Sequence, residues 1–118
     1  MQYLLLIYDN EQTASQMTPE EREADMKGYF ALNAEMRDAG LNFSGEALEP
    51  VATATSVRIR GDQRTTTDGP FAETAEQLGG FYLIEADNLD DAIAWAAKIP
   101  AARTGTIEVR PIMALPDH

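Results

Sequence analysis

Two segments of this chain are apolar on both of their alternating sets of positions: residues 2–8, QYLLLIY, and residues 79–86, GGFYLIEA. A β-strand turns its odd and even residues to opposite faces, so such a segment needs cover on both sides. Helices can supply one cover, and the sequence contains two. TPEE at 18–21 is a helix start, with Thr18 at the N-cap, Pro19 in the first turn and Glu21 placed to close a capping box. That helix runs to about Ala39, and Gly40 stops it. Met26, Tyr29, Phe30 and Met36 share one of its faces, with Asn33 in the middle of the stripe. Asn33 reads either as an amide facing a pocket or as a buried amide paired with nearby backbone, and the second is the simpler. Asn88 caps a second helix, LDDAIAWAAKI, whose Leu89, Ala92, Ile93 and Ala96 line one face and which Pro100 ends.

The remaining strands are less apolar. LNFSGEAL (41–48) is a short one, interrupted by Pro50. TATSVRIRG and QRTTTDG flank Gly61-Asp62 as a β-hairpin with its turn at 61–63. TIEVRPI (106–112) sets Ile107 and Val109 on one face, Glu108 and Arg110 on the other. The stretch DNEQTASQM reads as a polar loop and the tail MALPDH as frayed. The order is β-α-β-(ββ)-β-α-β. Without the hairpin this is an α+β, ferredoxin-like βαββαβ arrangement, in which both helices cover the same face of an antiparallel sheet. A single domain over residues 1–118 has nothing left to cover the other face. We expect a second copy to do so, giving a homodimer with its sheets packed face to face. A long loop over part of that face is the alternative.

Composition removes several classes of function. With 9 basic and 20 acidic residues the chain carries a net charge of −11, which repels phosphate and disfavours nucleic acid and anionic membranes as partners. Solubility explains that charge well enough. No cysteine is present, so disulfides, thiolate catalysis and cysteine metal sites are excluded. The single histidine is His118, which argues against a histidine triad or a two-histidine metal site. The start MQYLLLIYDN lacks a basic region and is too short for a signal or a membrane span, so a cytoplasmic location is expected. No metal and no cofactor is expected, there being neither a glycine-rich phosphate loop nor a G-x-S-x-G elbow.

Three groups of residues have chemistry to offer. In DGPFAETAEQLGG (68–80), Asp68-Gly69-Pro70 is a turn, and Glu73 and Glu76 fall on one side of a helical turn. Asp68, Glu73 and Glu76 can ligate a hard cation or supply a base, although solvated carboxylates are the simpler reading. Gly79-Gly80 either turns the chain into its strand or lets backbone approach a ligand. Arg58, Arg60 and Arg64 can clamp an anionic metabolite or merely pair with Asp68 or Glu73 across the hairpin. Tyr82, Glu108 and Arg110, if they face the space between two sheets, mark either an interface pocket or an intersubunit salt bridge.

YLLLIY at the start, TDGPFAETAEQLGGFYLIEA in the middle, and AIAWAAKIPAA and IEVRPI near the end resemble the DGPF family of YCII-related proteins, in the same order and over nearly the whole chain. Many relatives have lysine where this chain has Ala75, so one basic contact is missing. The resemblance implies a ferredoxin-like fold dimerising as an α+β barrel and supplies no firm activity, though such proteins are sometimes linked to sigma-factor regulation. Other YCII-like proteins are thought to use a histidine on the first helix and an aspartate before the proline that follows the second. Here the first helix has no histidine and Ile99 precedes Pro100, so that dyad does not transfer.

Two functions stay open. One is a homodimeric binding or regulatory module whose cleft near the DGPF loop holds a small anionic molecule, with Arg58, Asp68, Glu73, Tyr82 and Arg110 as candidate contacts. The other is a small cofactor-independent enzyme of lyase, isomerase or monooxygenase type, which rests on analogy of fold. A buried carboxylate with a strongly raised pKa in an enclosed pocket favours the enzyme, and an open, solvated cleft favours the module.

Overall fold

The computed structural model describes residues 1–116. Its element order is β1 (Gln2–Asp9), α1 (Glu11–Ala14), α2 (Pro19–Asp38), β2 (Phe43–Ala47), β3 (Thr55–Arg60), β4 (Gln63–Asp68), β5 (Gln77–Glu85), α3 (Leu89–Ala96) and β6 (Thr106–Pro111). Four strands form an antiparallel sheet in the order β2-β5-β1-β6. The two strands apolar on both faces, β1 and β5, are therefore its centre. β3 and β4 pair only with each other, as a separate two-stranded ribbon.

One face of the sheet makes the core. Tyr3, Leu5 and Ile7 of β1 and Tyr82 and Ile84 of β5 are buried there with Leu32 and Met36 of α2, Ala92 and Ala96 of α3, and Ile99. Ile107 and Val109 pack against the same cluster. The other face pairs Leu4 with Leu83 and Leu6 with Phe81 across β1 and β5. Glu108 and Arg110 lie beside Leu6 and Leu4 on β6, and Ser44 and Glu46 beside Leu83 and Phe81 on β2. These four apolar side chains are only half-buried, since α2 and α3 both lie on the opposite side.

α2 starts as its sequence dictates. Thr18 accepts the Glu21 N–H, and the Glu21 carboxylate accepts the Thr18 N–H. It ends before Gly40, whose φ of 69° suits a residue without Cβ. The expected apolar stripe is only partly a core face, however. Leu32 and Met36 are buried, whereas Met26 and Phe30 are 57% and 62% exposed. The reason is position along the axis. Every residue from 19 to 27 is exposed, and contact begins at Gly28, where an added Cβ would lie 3.1 Å from the Pro100 ring. Phe30 also lies one position off the 29–32–33–36 seam.

α3 differs in the same way. Ala92 and Ala96 are buried and Leu89 and Ile93 are 48% exposed, so small residues set the contact and let the helix sit close. The helix stops at Ala96, and Pro100 opens a 3₁₀ turn over Pro100–Arg103. The stretch read as a loop after β1 contains α1, nucleated by the Asn10 side chain accepting the Thr13 N–H. Residues 73–76 form no helical turn: Thr74 Oγ1 donates to the Glu76 carbonyl and Gln77 Nε2 to the Thr74 carbonyl, which holds the segment bent. Residues 113–116 form no regular element, and His118 lies outside the described residues.

Candidate functional site

Among the hollows bordered by described residues, two lie on opposite faces of the sheet. The larger, about 660 Å³, lies under the DGPF loop. Val51, Ala52, Pro70, Phe71 and Leu78 give it apolar walls, with Tyr8 at one side and Glu73 and Glu76 as its charged groups. Its local architecture begins at Gly69, whose φ of 95° requires glycine and whose N–H donates to the Ala54 carbonyl at 2.7 Å. Ser56 Oγ donates to the Gly69 carbonyl at 2.9 Å. These bonds tie off the base of the hairpin and leave Pro70-Phe71 arched outward, with Phe71 80% exposed. The hollow opens on the half-buried face of the sheet, because Tyr8 belongs to that face: its hydroxyl donates to Glu108 Oε1 at 3.3 Å. Glu108 Oε2 in turn accepts from Arg110 at 2.7 Å, and that hydrogen bond holds the Glu108 carboxyl below its usual range.

The second hollow, about 380 Å³, lies on the helix-covered face between α2 and the β2–β5 pair. Tyr29 and Asn33 of α2 meet Tyr82 and Phe43 over a strand floor that carries no large side chains at Gly45, Ala47, Gly79 and Gly80. Gly45 is required there, since an added Cβ would lie 2.7 Å from the Phe81 carbonyl and 2.8 Å from the Tyr82 ring. The Tyr82 hydroxyl donates to Asn33 Oδ1 at 2.8 Å. Tyr29 is pushed up to about 12, first by burial and then by the negative charge of Asp25, against a hydrogen bond from the Ala101 backbone. Tyr82 is raised by burial. Asp25 is raised too, by burial first and then by the Asp9 carboxylate.

The sequence candidates do not gather into one place. Glu73 lines the DGPF hollow, Asp68 closes β4 opposite Thr55, and Arg110 is on the open sheet face. Tyr82 is buried on the other face, so it does not share the open face with Glu108 and Arg110. The three arginines split as well. Ile59 pairs with Arg64, so Arg64 shares a face of the ribbon with Val57 and Ile59, while Arg58 and Arg60 occupy the other. Among the described residues no ion pair joins them to Asp68 or Glu73. Nor, among these residues, does any group of three carboxylates or imidazoles come together to hold a metal, so Asp68 does not join Glu73 and Glu76 as one ligand set. The sequence reading passed over Tyr29 except as core. Its signal was available: Tyr29 and Asn33 are about one turn apart on the face of α2 that also carries Leu32 and Met36.

These features define a mixed α+β domain with an antiparallel sheet, half its faces covered, and hollows on both sides. A family model described as the YCII-related domain matches residues 1–116, and the chain belongs to that family. The chain is also 38% identical over 114 residues to the uncharacterized protein R00369 of Rhizobium meliloti (strain 1021), covering 95% of this chain and 92% of that protein. The DGPF signature read in residues 68–71 is that family's own. Among the described residues no helix is long and apolar enough to cross a membrane.

Proposed function

We propose that this chain is a homodimeric small-molecule-binding module, two ferredoxin-like subunits packed through their open sheet faces as an α+β barrel. The observation that carries the reading is the stripe of Leu4, Leu6, Phe81 and Leu83, half-buried on a face that neither long helix covers. Burying it against its own copy removes that apolar surface from water at about 25 cal/mol per Å². The sheet order β2-β5-β1-β6, with β3–β4 set apart, supports the ferredoxin-like assignment. In the dimer the hollow under the DGPF loop becomes a cleft at the edge of the sheet–sheet space. Phe71 and Leu78 give it apolar walls and Arg110, on the same face, gives it positive charge for a small anion; Arg58 and Asp68 belong to the hairpin at its margin. Among the described residues no charged side chain is buried, which favours a solvated binding cleft over an enzyme's enclosed acid–base site.

Sedimentation at micromolar concentration is expected to give twice the mass of one chain, and a single-chain mass overturns the dimer. A thermal-shift screen of small organic anions tests the cleft with wild type and Arg110→Ala, a substitution at an exposed side chain that costs little by itself. Protection by an anion that is lost in Arg110→Ala supports the reading. Absence of any protecting anion, or protection indifferent to the substitution, counts against it.

A further inference from the structure

The hollow on the helix-covered face has a chemistry of its own, independent of any second copy. Its polar groups are donors. The Tyr82 hydroxyl spends its proton on Asn33 Oδ1, which fixes the amide with its NH₂ on the other side. No described residue accepts from that NH₂, and no buried side-chain nitrogen or oxygen lacks a partner, so the NH₂ reaches solvent in the hollow Asn33 lines. The Tyr29 hydroxyl donates to no described residue, so its proton is left to give. Burial and the Asp25 carboxylate keep that phenol protonated throughout the physiological range. Two donors, Tyr29 O–H and Asn33 N–H, thus border one space, and the Glu46 carboxylate is turned away from it, sharing the open face of the sheet with Phe81.

The rest of the lining sets size and charge. The Phe43 and Tyr82 rings, 6.3 Å between centroids and tilted by 51°, form one wall, and the floor is glycine and alanine backbone. A space of about 380 Å³ with aromatic walls takes one or two rings. Among the described residues no lysine, arginine or histidine lines it, and Asp25 and Asp9 act on Tyr29 from nearby. An anion is therefore repelled where a neutral acceptor is welcomed. We propose that the Tyr29–Asn33–Tyr82 hollow binds a small, flat, uncharged molecule through a carbonyl oxygen, which accepts from the Tyr29 hydroxyl and the Asn33 amide.

Acetophenone is a suitable probe, with benzoate as its anionic counterpart and ethylbenzene as the same ring without an acceptor. Titrated into the ¹⁵N-labelled protein, acetophenone is expected to shift the backbone amides of residues 29, 33, 43–47 and 80–82. Benzoate and ethylbenzene are expected to bind at least about tenfold more weakly, the worth of a lost hydrogen bond or a charge repelled. Asn33→Asp keeps the acceptor for Tyr82 and replaces the donors by an oxygen, so it is expected to weaken acetophenone by a similar factor while the rest of the spectrum stays folded. Tyr29→Phe is expected to weaken it several-fold. Benzoate binding as tightly as acetophenone, acetophenone shifts absent from these residues, or equal affinity in Asn33→Asp overturns the proposal. None of these results depends on the dimer, because the hollow lies on the covered face of a single chain.

Discussion

At Tyr29 four influences agree in keeping a phenol neutral. Burial comes first, the Asp25 carboxylate second, and Tyr82 and Asp9 add to them. The consequence for stability has a definite sign. An unfolded tyrosine ionises near its ordinary value of 10.0, whereas Tyr29 in the fold holds its proton to about 12. Below the lower value both states are protonated and the contribution is complete; between the two the unfolded chain ionises first, and stability drains as pH rises through that window. We expect near-ultraviolet titration to resolve a phenol ionising near the top of that window, and Tyr29→Phe to abolish that step and flatten the alkaline loss of stability. Four tyrosines titrating together at the ordinary value would refute this. The sequence placed Tyr29 and Asn33 correctly on one stripe, but it could not tell what lay opposite. Of the two readings of Asn33, an amide facing a pocket or one paired with backbone, the structure has it line a hollow and accept from the Tyr82 hydroxyl, 49 residues away. A contact of that kind depends on tertiary packing, which no local pattern encodes.

Among the elements, α2 is divided in two by what it touches. Its second half is held by Leu32 and Met36, and its first half, whose residues are exposed, is held by the capping box at Thr18 and Glu21, the Glu23–Lys27 ion pair and Arg22 donating to the Ser15 carbonyl. An exposed pair of that kind contributes a few tenths of a kcal/mol, so the cap is the main restraint. Thr18→Ala is expected to cost the first half about 1 kcal/mol. Amide exchange is then expected to accelerate through residues 21–27 and to stay slow at 32–38; equal acceleration along the whole helix would show that the two halves melt as one. The cap was legible in TPEE because it is a four-residue signal. The end of packing at Gly28 was not, because a helix that overruns its sheet has the same periodicity as one that does not. Strand parity misled in a related way: the three arginines are neighbours in sequence, but a two-residue turn reverses the chain and puts Arg64 opposite Ile59 rather than beside Arg58.

The whole chain is a plate with an arm. Its Cα radius of gyration is 16.6 Å, against about 13 to 14 Å for a compact domain of its length, and its thinnest extent is 18 Å, enough for one sheet and one layer of helices. The two-faced apolar strands made the need for a second cover legible in the sequence, and within the described residues neither α2 nor α3 supplies it. Leu83 is the position that tests it. In a single chain it is half-exposed beside Leu4 and Ser44, so Leu83→Asp loses little more than strand propensity and partial contact, about 1 kcal/mol. In a face-to-face dimer the same carboxylate is taken from water without a partner, twice over, at a cost of several kcal/mol. The variant is therefore expected to keep its secondary structure and a cooperative thermal transition while sedimenting at the mass of one chain. If Leu83→Asp instead sediments as wild type does, the open face is not where two copies meet, and the arm carrying Val57 and Ile59, 59% and 62% exposed, becomes the surface to examine for their contact.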